Sequence, residues 1–332
     1  MKIARTIAFR WLCLLLFVSI VSPPVKGMAA ITAYVATTQN LDLNQVHFVV
    51  VASPEVRARL YDRTMTLFAK AGLPLPHAGD SHTPAAATLT LTLDPHPLDA
   101  SCPGKVLYKP SLLLVEPVII QRSSVVMNDT TWLLETRAQV RNPVEISTLE
   151  TDLDRLIQQF ITDYKAGNPE WQSQGTPSNP KRPCADHEPT SPTLSEANDA
   201  QANSSLRHLN VDTLQIHISA GRSGQPLAIR AIQHLREAGL SVPLDGRGNG
   251  AVTLGVELTQ HSIEDQCPGK VLYESGLYLV EEVRIKRSPQ VSIWSDTWLR
   301  ETMQIVAPVP LRQLEADQDA LLKQFIRSFQ AR

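Results

Sequence analysis

The chain has 332 residues, 43% of them hydrophobic and 19% charged, a globular composition long enough for two domains of about 100–150 residues each. With 31 Lys+Arg against 33 Asp+Glu the formal net charge is −2, which excludes a strong general attraction to nucleic acid or to an anionic membrane surface.

Residues 1–28 read as a signal peptide. Lys2, Arg5 and Arg10 precede an apolar run from Trp11 to Ser22, then come Pro23, Pro24 and small residues from Gly27 to Ala30. The run falls short of the ~20 apolar residues a membrane span needs. Cleavage is expected after Gly27 or Ala29, leaving no stable span; the alternative is an N-terminal membrane anchor. Cys13 lies inside the run without the context of lipoprotein processing, so no lipid anchor is read there. An exported chain, periplasmic or alternatively extracellular, is permitted disulfides. Without the signal three cysteines remain, Cys102, Cys184 and Cys267, and an odd count leaves one thiol unpaired or joined to another chain.

The first element expected is a buried strand over Val46 to Val51. Ser53-Pro54-Glu55 follows as helix N-cap, first-turn proline and early acid; Val56, Leu60, Leu67, Phe68 and Ala71 form its apolar stripe, and Gly72 stops it. Thr88 to Leu93 alternates as a half-buried second strand. A Cys102-Pro-Gly-Lys-Val-Leu-Tyr108 turn region leads into a third strand, Leu112 to Ile120, and Trp132 to Val140 is the fourth. A last helix carries Leu149, Leu153, Leu156, Ile157, Phe160, Ile161 and Tyr164, entered through a Ser147…Glu150 capping box.

The same order then recurs. Cys267-Pro-Gly-Lys-Val-Leu-Tyr273 repeats the first heptapeptide letter for letter. Leu114-Val115-Glu116 is answered by Leu279-Val280-Glu281, Thr131-Trp132-Leu133 by Thr297-Trp298-Leu299, and Asp152 by Asp317. Two domains of similar sequence are expected, 41–166 and 208–332, separated by a linker, 167–207, that is rich in proline, serine and asparagine. The fold class expected is α+β: a tandem duplication of a β-α-β-β-β-α unit, each copy with a four-stranded, mainly antiparallel sheet and two helices on one face. In element order the unit resembles small envelope-associated domains of Gram-negative bacteria, among them the amino-terminal domain of TolB and the lipopolysaccharide-assembly lipoprotein LptE. The likeness is one of order alone and implies no functional residue.

Candidate chemistry is sparse. The nine histidines show no paired metal spacing, Cys-x-x-Cys is missing, and neither a G-x-S-x-G elbow nor a glycine-rich phosphate loop occurs, Gly246 to Gly250 reading as a plain loop. No metal and no cofactor are therefore expected. The sharpest candidates are carboxylates in apolar company: Glu281 shares a face with Leu277, Leu279, Val283 and Ile285, and Glu301 with Leu299, Met303 and Ile305. A hairpin centred near residue 291 would make Glu281 and Glu301 cross-strand neighbours, with Glu116 and Glu135 their counterparts, a pairing suited to acid–base work or cation binding. The competing reading pairs each glutamate with a half-buried cation such as Lys270 or Arg287, fixing strand register. Cys102 and Cys267 occupy equivalent places, so two-fold-like packing of the domains within the chain would bring them together; the alternatives are two buried thiols, or pairing of one with Cys184.

The functional expectation is a non-catalytic, exported two-domain interaction or adaptor protein of the cell envelope, with a protein partner and no nucleic acid. The alternative is an enzyme or cation-binding protein using the paired carboxylates.

Overall fold

The computed structural model describes residues 37–78, 87–98, 101–172, 206, 208–243 and 251–331. The expected signal peptide, most of the linker, Cys184 and the loop Gly246 to Gly250 lie outside these residues.

The first half contains β1 (Val46–Val51), α1 (Pro54–Lys70), β2 (His77–Ala78), β3 (Ala87–Thr92), β4 (His96–Pro97), β5 (Val106–Tyr108), β6 (Ser111–Ile120), β7 (Val126–Glu135), β8 (Gln139–Arg141) and α2 (Ile146–Gly167). The second contains β9 (Leu214–Ser219), α3 (Gly224–Glu237), β10 (Val252–Ser262), β11 (Val271–Ile285), β12 (Ser288–Val306) and α4 (Leu311–Gln330). The protein is thus a mixed α+β molecule, with four helices against one large and one small sheet.

Local chemistry explains most boundaries. Pro54 stands at the first position of α1, Glu55 in its first turn and Lys70 in its last, each favoured by the helix dipole. Gly72, at φ +69°, turns the chain away. The start of α2 differs from expectation: Ile146 opens the helix and Glu145 is its N-cap residue. Ser147 therefore lies inside the helix, where its hydroxyl donates to Glu145 Oε2 at 3.4 Å instead of closing a capping box.

Each half encloses its own core. Phe48, Leu60, Phe68, Leu89, Leu112, Leu153 and Phe160 pack together in the first, and Leu227, Leu235, Leu254, Leu279, Leu322 and Phe325 in the second. Every such side chain removed from water contributes about 1.5–3 kcal/mol. A tryptophan anchors each core edge-on to a phenylalanine, Trp132 to Phe160 at 5.2 Å and Trp298 to Phe325 at 5.7 Å between ring centroids.

Pairing follows one scheme in both halves. β1 runs parallel to β3, β3 antiparallel to β6 and β6 antiparallel to β7; β9 runs parallel to β10, β10 antiparallel to β11 and β11 antiparallel to β12. The sheets do not stand apart, however. β3 covers β6 only as far as Val115 and β10 covers β11 only as far as Glu281, so the ends of both third strands present free edges. Those edges pair with each other, Val118 with Ile285, Ile119 with Arg284 and Ile120 with Val283, and a single nine-stranded sheet results.

The fourth strand of the first half also departs from expectation. In place of one run from Trp132 to Val140 there are β7 and, after a break, β8, which joins β4 and β5 in a separate three-stranded sheet. The second half carries β10, β11 and β12 through the corresponding places unbroken. Prolines account for two of the interruptions: Pro95 follows β3 and Pro110 parts β5 from β6, where the second half has Gln260 and Ser275. A proline has no N–H for the ladder.

Candidate functional site

The region with the richest buried polar chemistry is the joint where β6 meets β11. Glu116 and Glu281 lie on the core faces of these strands and are almost wholly buried, 2% exposed each. Opposite each stands a β-bulge: register slips between Leu114 and Val115 against β7, and between Leu279 and Val280 against β12, leaving Thr131 and Thr297 as the extra residues. Each threonine hydroxyl donates to its glutamate at 2.5 Å, Thr131 to Glu116 Oε1 and Thr297 to Glu281 Oε1.

The remaining lone pairs are filled from the other half. Arg122, in the turn after β6, donates from Nε to Glu281 Oε2 at 2.6 Å and from Nη2 to Oε1 at 2.9 Å. Arg287, in the turn after β11, does the same for Glu116, Nε to Oε2 at 2.6 Å and Nη2 to Oε1 at 2.9 Å. Arg287 also donates to the carbonyls of Thr37 and Gln39. Each hairpin turn therefore delivers an arginine fork to the glutamate of the opposite half, in the bidentate geometry that makes such pairs strong. Around them Val118, Ile120, Met127 and Val283 form a small apolar cluster. On its far side β7 meets β12, where the Ser295 hydroxyl donates to the Thr130 carbonyl at 3.3 Å.

The expected carboxylate pairs do not form. Ile285 pairs with Ser288 across a tight turn at Lys286 and Arg287, so the hairpin is centred earlier than expected; Glu281 faces Ser295 and Glu301 faces Gly276. Glu281 and Glu301 consequently lie on opposite faces of the sheet. So do Glu116, which faces Asp129, and Glu135, which faces Ser111. Glu135 is bridged at 3.0 Å to Lys109 near the surface, and Glu301 is exposed. The cation reading foresaw an arginine partner, but Glu281 takes Arg122, not Lys270 or Arg287, and Arg287 serves Glu116.

Away from the joint, Cys102 and Cys267 form a disulfide-compatible pair, Cα atoms 5.8 Å apart and 165 residues apart in sequence. The rest of the repeated heptapeptide is also accounted for. Gly104 and Gly269, at φ +73° and +71°, make the turn, and the tyrosines reach the last helices: Tyr108 donates to Asp152 at 3.0 Å and Tyr273 to Asp317 at 2.9 Å. Burial first, and then the neighbouring aspartate, push both phenols well above the ordinary tyrosine range, so they act as proton donors only.

No family model and no curated protein matches the chain. Among the described residues no helix is long and apolar enough to cross a membrane, and no three His, Cys, Asp or Glu side chains are grouped to hold a metal ion.

Sequence reasoning missed Arg122 and Asp129. Arg122 was legible by its offset from Arg287, which equals that between the cysteines. Asp129 carried no signal, because a bulge, invisible in single-sequence periodicity, sets which face of β7 it occupies.

Proposed function

We propose that the chain is a tandem duplication acting as a non-catalytic, exported two-domain adaptor of the cell envelope, its two halves closed about an internal pseudo-two-fold axis and tied by a Cys102–Cys267 disulfide. The observation that carries this reading is the reciprocal bonding of the glutamates. Both deeply buried candidate carboxylates are spent on Arg122 and Arg287 from the opposite half, which is what an internal interface needs and what a general acid, base or cation ligand cannot afford.

Two halves joined through one continuous sheet offer a partner two similar surfaces in fixed relation. On β12, the face of the large sheet turned away from α3 and α4 exposes Trp294 at 58% and Leu299 at 43%, large apolar groups suited to partner contact. The test is capture from envelope extract on the immobilised mature protein. Trp294→Ser combined with Leu299→Ser should lose the captured protein, whereas Glu281→Gln combined with Arg122→Met, which empties one ion pair without leaving a lone charge, should retain it. Retention by the first variant would remove the adaptor surface. A turnover abolished by Glu281→Gln alone, at unchanged stability, would restore the paired-carboxylate alternative.

A further inference from the structure

The joint is two-fold in its chemistry. Glu116 with Thr131 and Arg287 is matched by Glu281 with Thr297 and Arg122, and Ile119 opposite Arg284 lies at the centre of the shared ladder. Opposite the glutamates the match breaks. Opposite Glu281 stands Ser295, but opposite Glu116 stands Asp129.

Asp129 accepts the Thr130 amide on Oδ1 at 2.7 Å, while Oδ2 is shut off from solvent and has no hydrogen-bond partner. The charged groups around it are Glu116 on β6, Glu281 on β11, Asp296 on β12, and the two turn arginines. Each arginine is bound bidentately to its glutamate. Two glutamates and two arginines balance one another, so an ionised Asp129, with Asp296 also near it, adds negative charge beyond what the two arginines match, at an oxygen shut off from water. A protonated Asp129 removes its share of that charge and gives Oδ2 a hydrogen to donate.

We propose that Asp129 is a proton-operated latch on the joint: protonated, it lets β7 lie against β12 and the halves close; ionised, it loosens that contact. Burial is the main cause that pushes its carboxyl up to about 7, opposed by the nearby Ser295 hydroxyl and the Thr130 amide, with Asp296 and Glu281 adding to the rise. A carboxyl whose folded-state pKa is raised holds its proton more tightly when folded. Its contribution is therefore complete below the unfolded value of about 4 and is lost as pH rises through about 7. For a chain exported as proposed above, the pH of the surroundings would set the state of the joint; the latch itself does not depend on that reading.

The test is hydrogen–deuterium exchange on the full oxidised protein at pH 5 and pH 8, corrected for intrinsic exchange. Between pH 5 and pH 8 the linkage spans the two units from 5 to about 7, about a hundredfold, but Asp129 is only half-buried as a residue, so the observable effect is expected to be about tenfold. Peptides spanning 116–131 and 281–297 should exchange that much faster at pH 8, with α2 unchanged. Asp129→Asn and Asp129→Ser, the second installing the other half's residue, should stay protected at both pH values. An equal rise in these variants, or a flat wild type, overturns the latch. Should the variants fail to fold, a carbon-detected titration of the wild-type Asp129 carboxyl decides: a midpoint near 4 overturns it and one near 7 upholds it.

Discussion

At the scale of single residues the joint shows why a buried ion pair is poor evidence of stability yet costly to break. Desolvating Glu116 and Arg287 costs much of what their attraction returns, so the pair is worth little net, but removing one partner strands a charge that is 1% exposed. Arg287→Met should therefore lower stability by about 3–5 kcal/mol in urea denaturation, and adding Glu116→Gln should recover most of it; an equal loss in the double variant would mean that packing of the arginine stem, not charge, was lost. A smaller asymmetry sits in the cores. Trp132 Nε1 donates to Asp163 Oδ2 at 3.0 Å, and Gln159 steadies that aspartate from one turn away at 2.8 Å. In the second half Trp298 Nε1 is buried without an acceptor, because Ser328 occupies the place of Asp163 while Gln324 still stands one turn before it. Ser328→Asp should supply the bond and raise the melting temperature, by about 1 kcal/mol of stability; a lower melting temperature would show that the tryptophan cannot reach the new carboxylate. Glu116 and Glu281 could be singled out in the sequence because a lone acid in an apolar alternation is conspicuous. Which arginine serves which glutamate could not be read, since Arg122 and Arg287 lie in turns and each binds in the opposite half.

At the scale of elements, β1, α1 and the last helix of each half were legible because the hydrophobic period is clear there, joined in α1 by Pro54 at its start and Gly72 after its end. The beginnings of the fourth strands were not, since bulges at Thr131 and Thr297 reverse the alternation midway along β7 and β12. The two halves also solve one packing problem differently. Tyr278 on β11 lies over Gly255 on β10, where a Cβ would come within 2.0 Å of the ring; the first half has Leu113 beside Thr90 in the same positions. Gly255→Ala should cost about 1–3 kcal/mol through overpacking, and Tyr278→Leu should relieve it by restoring the combination of a side chain on β10 with leucine on β11. Chemical denaturation of the single and double variants checks this; a neutral Gly255→Ala would show that the tyrosine ring swings away freely.

At the scale of the whole molecule, the separation into two cores was readable from the internal repeat, but the merging of the sheets was not. It arises from the lengths of β6 and β11 beyond their second-strand neighbours, and nothing in a strand's own pattern tells which edge will be left open. Two distant contacts then hold the halves in one relation: the three-residue ladder with its twin ion pairs, and the cysteine pair. A bridge between Cys102 and Cys267 closes a long loop of chain, so Cys267→Ser should lower stability by about 2–4 kcal/mol in non-reducing buffer and by nothing further when reductant is added. Cys102 and Cys267 stand at the same place in the repeated heptapeptide, and their meeting is what the proposed axis requires. Mass-spectrometric peptide mapping of the unreduced mature protein tests that relation most directly. The expected result is one linked peptide pair joining Cys102 to Cys267, with Cys184 open to alkylation; a bridge from Cys184 to either cysteine, or three free thiols, would contradict it.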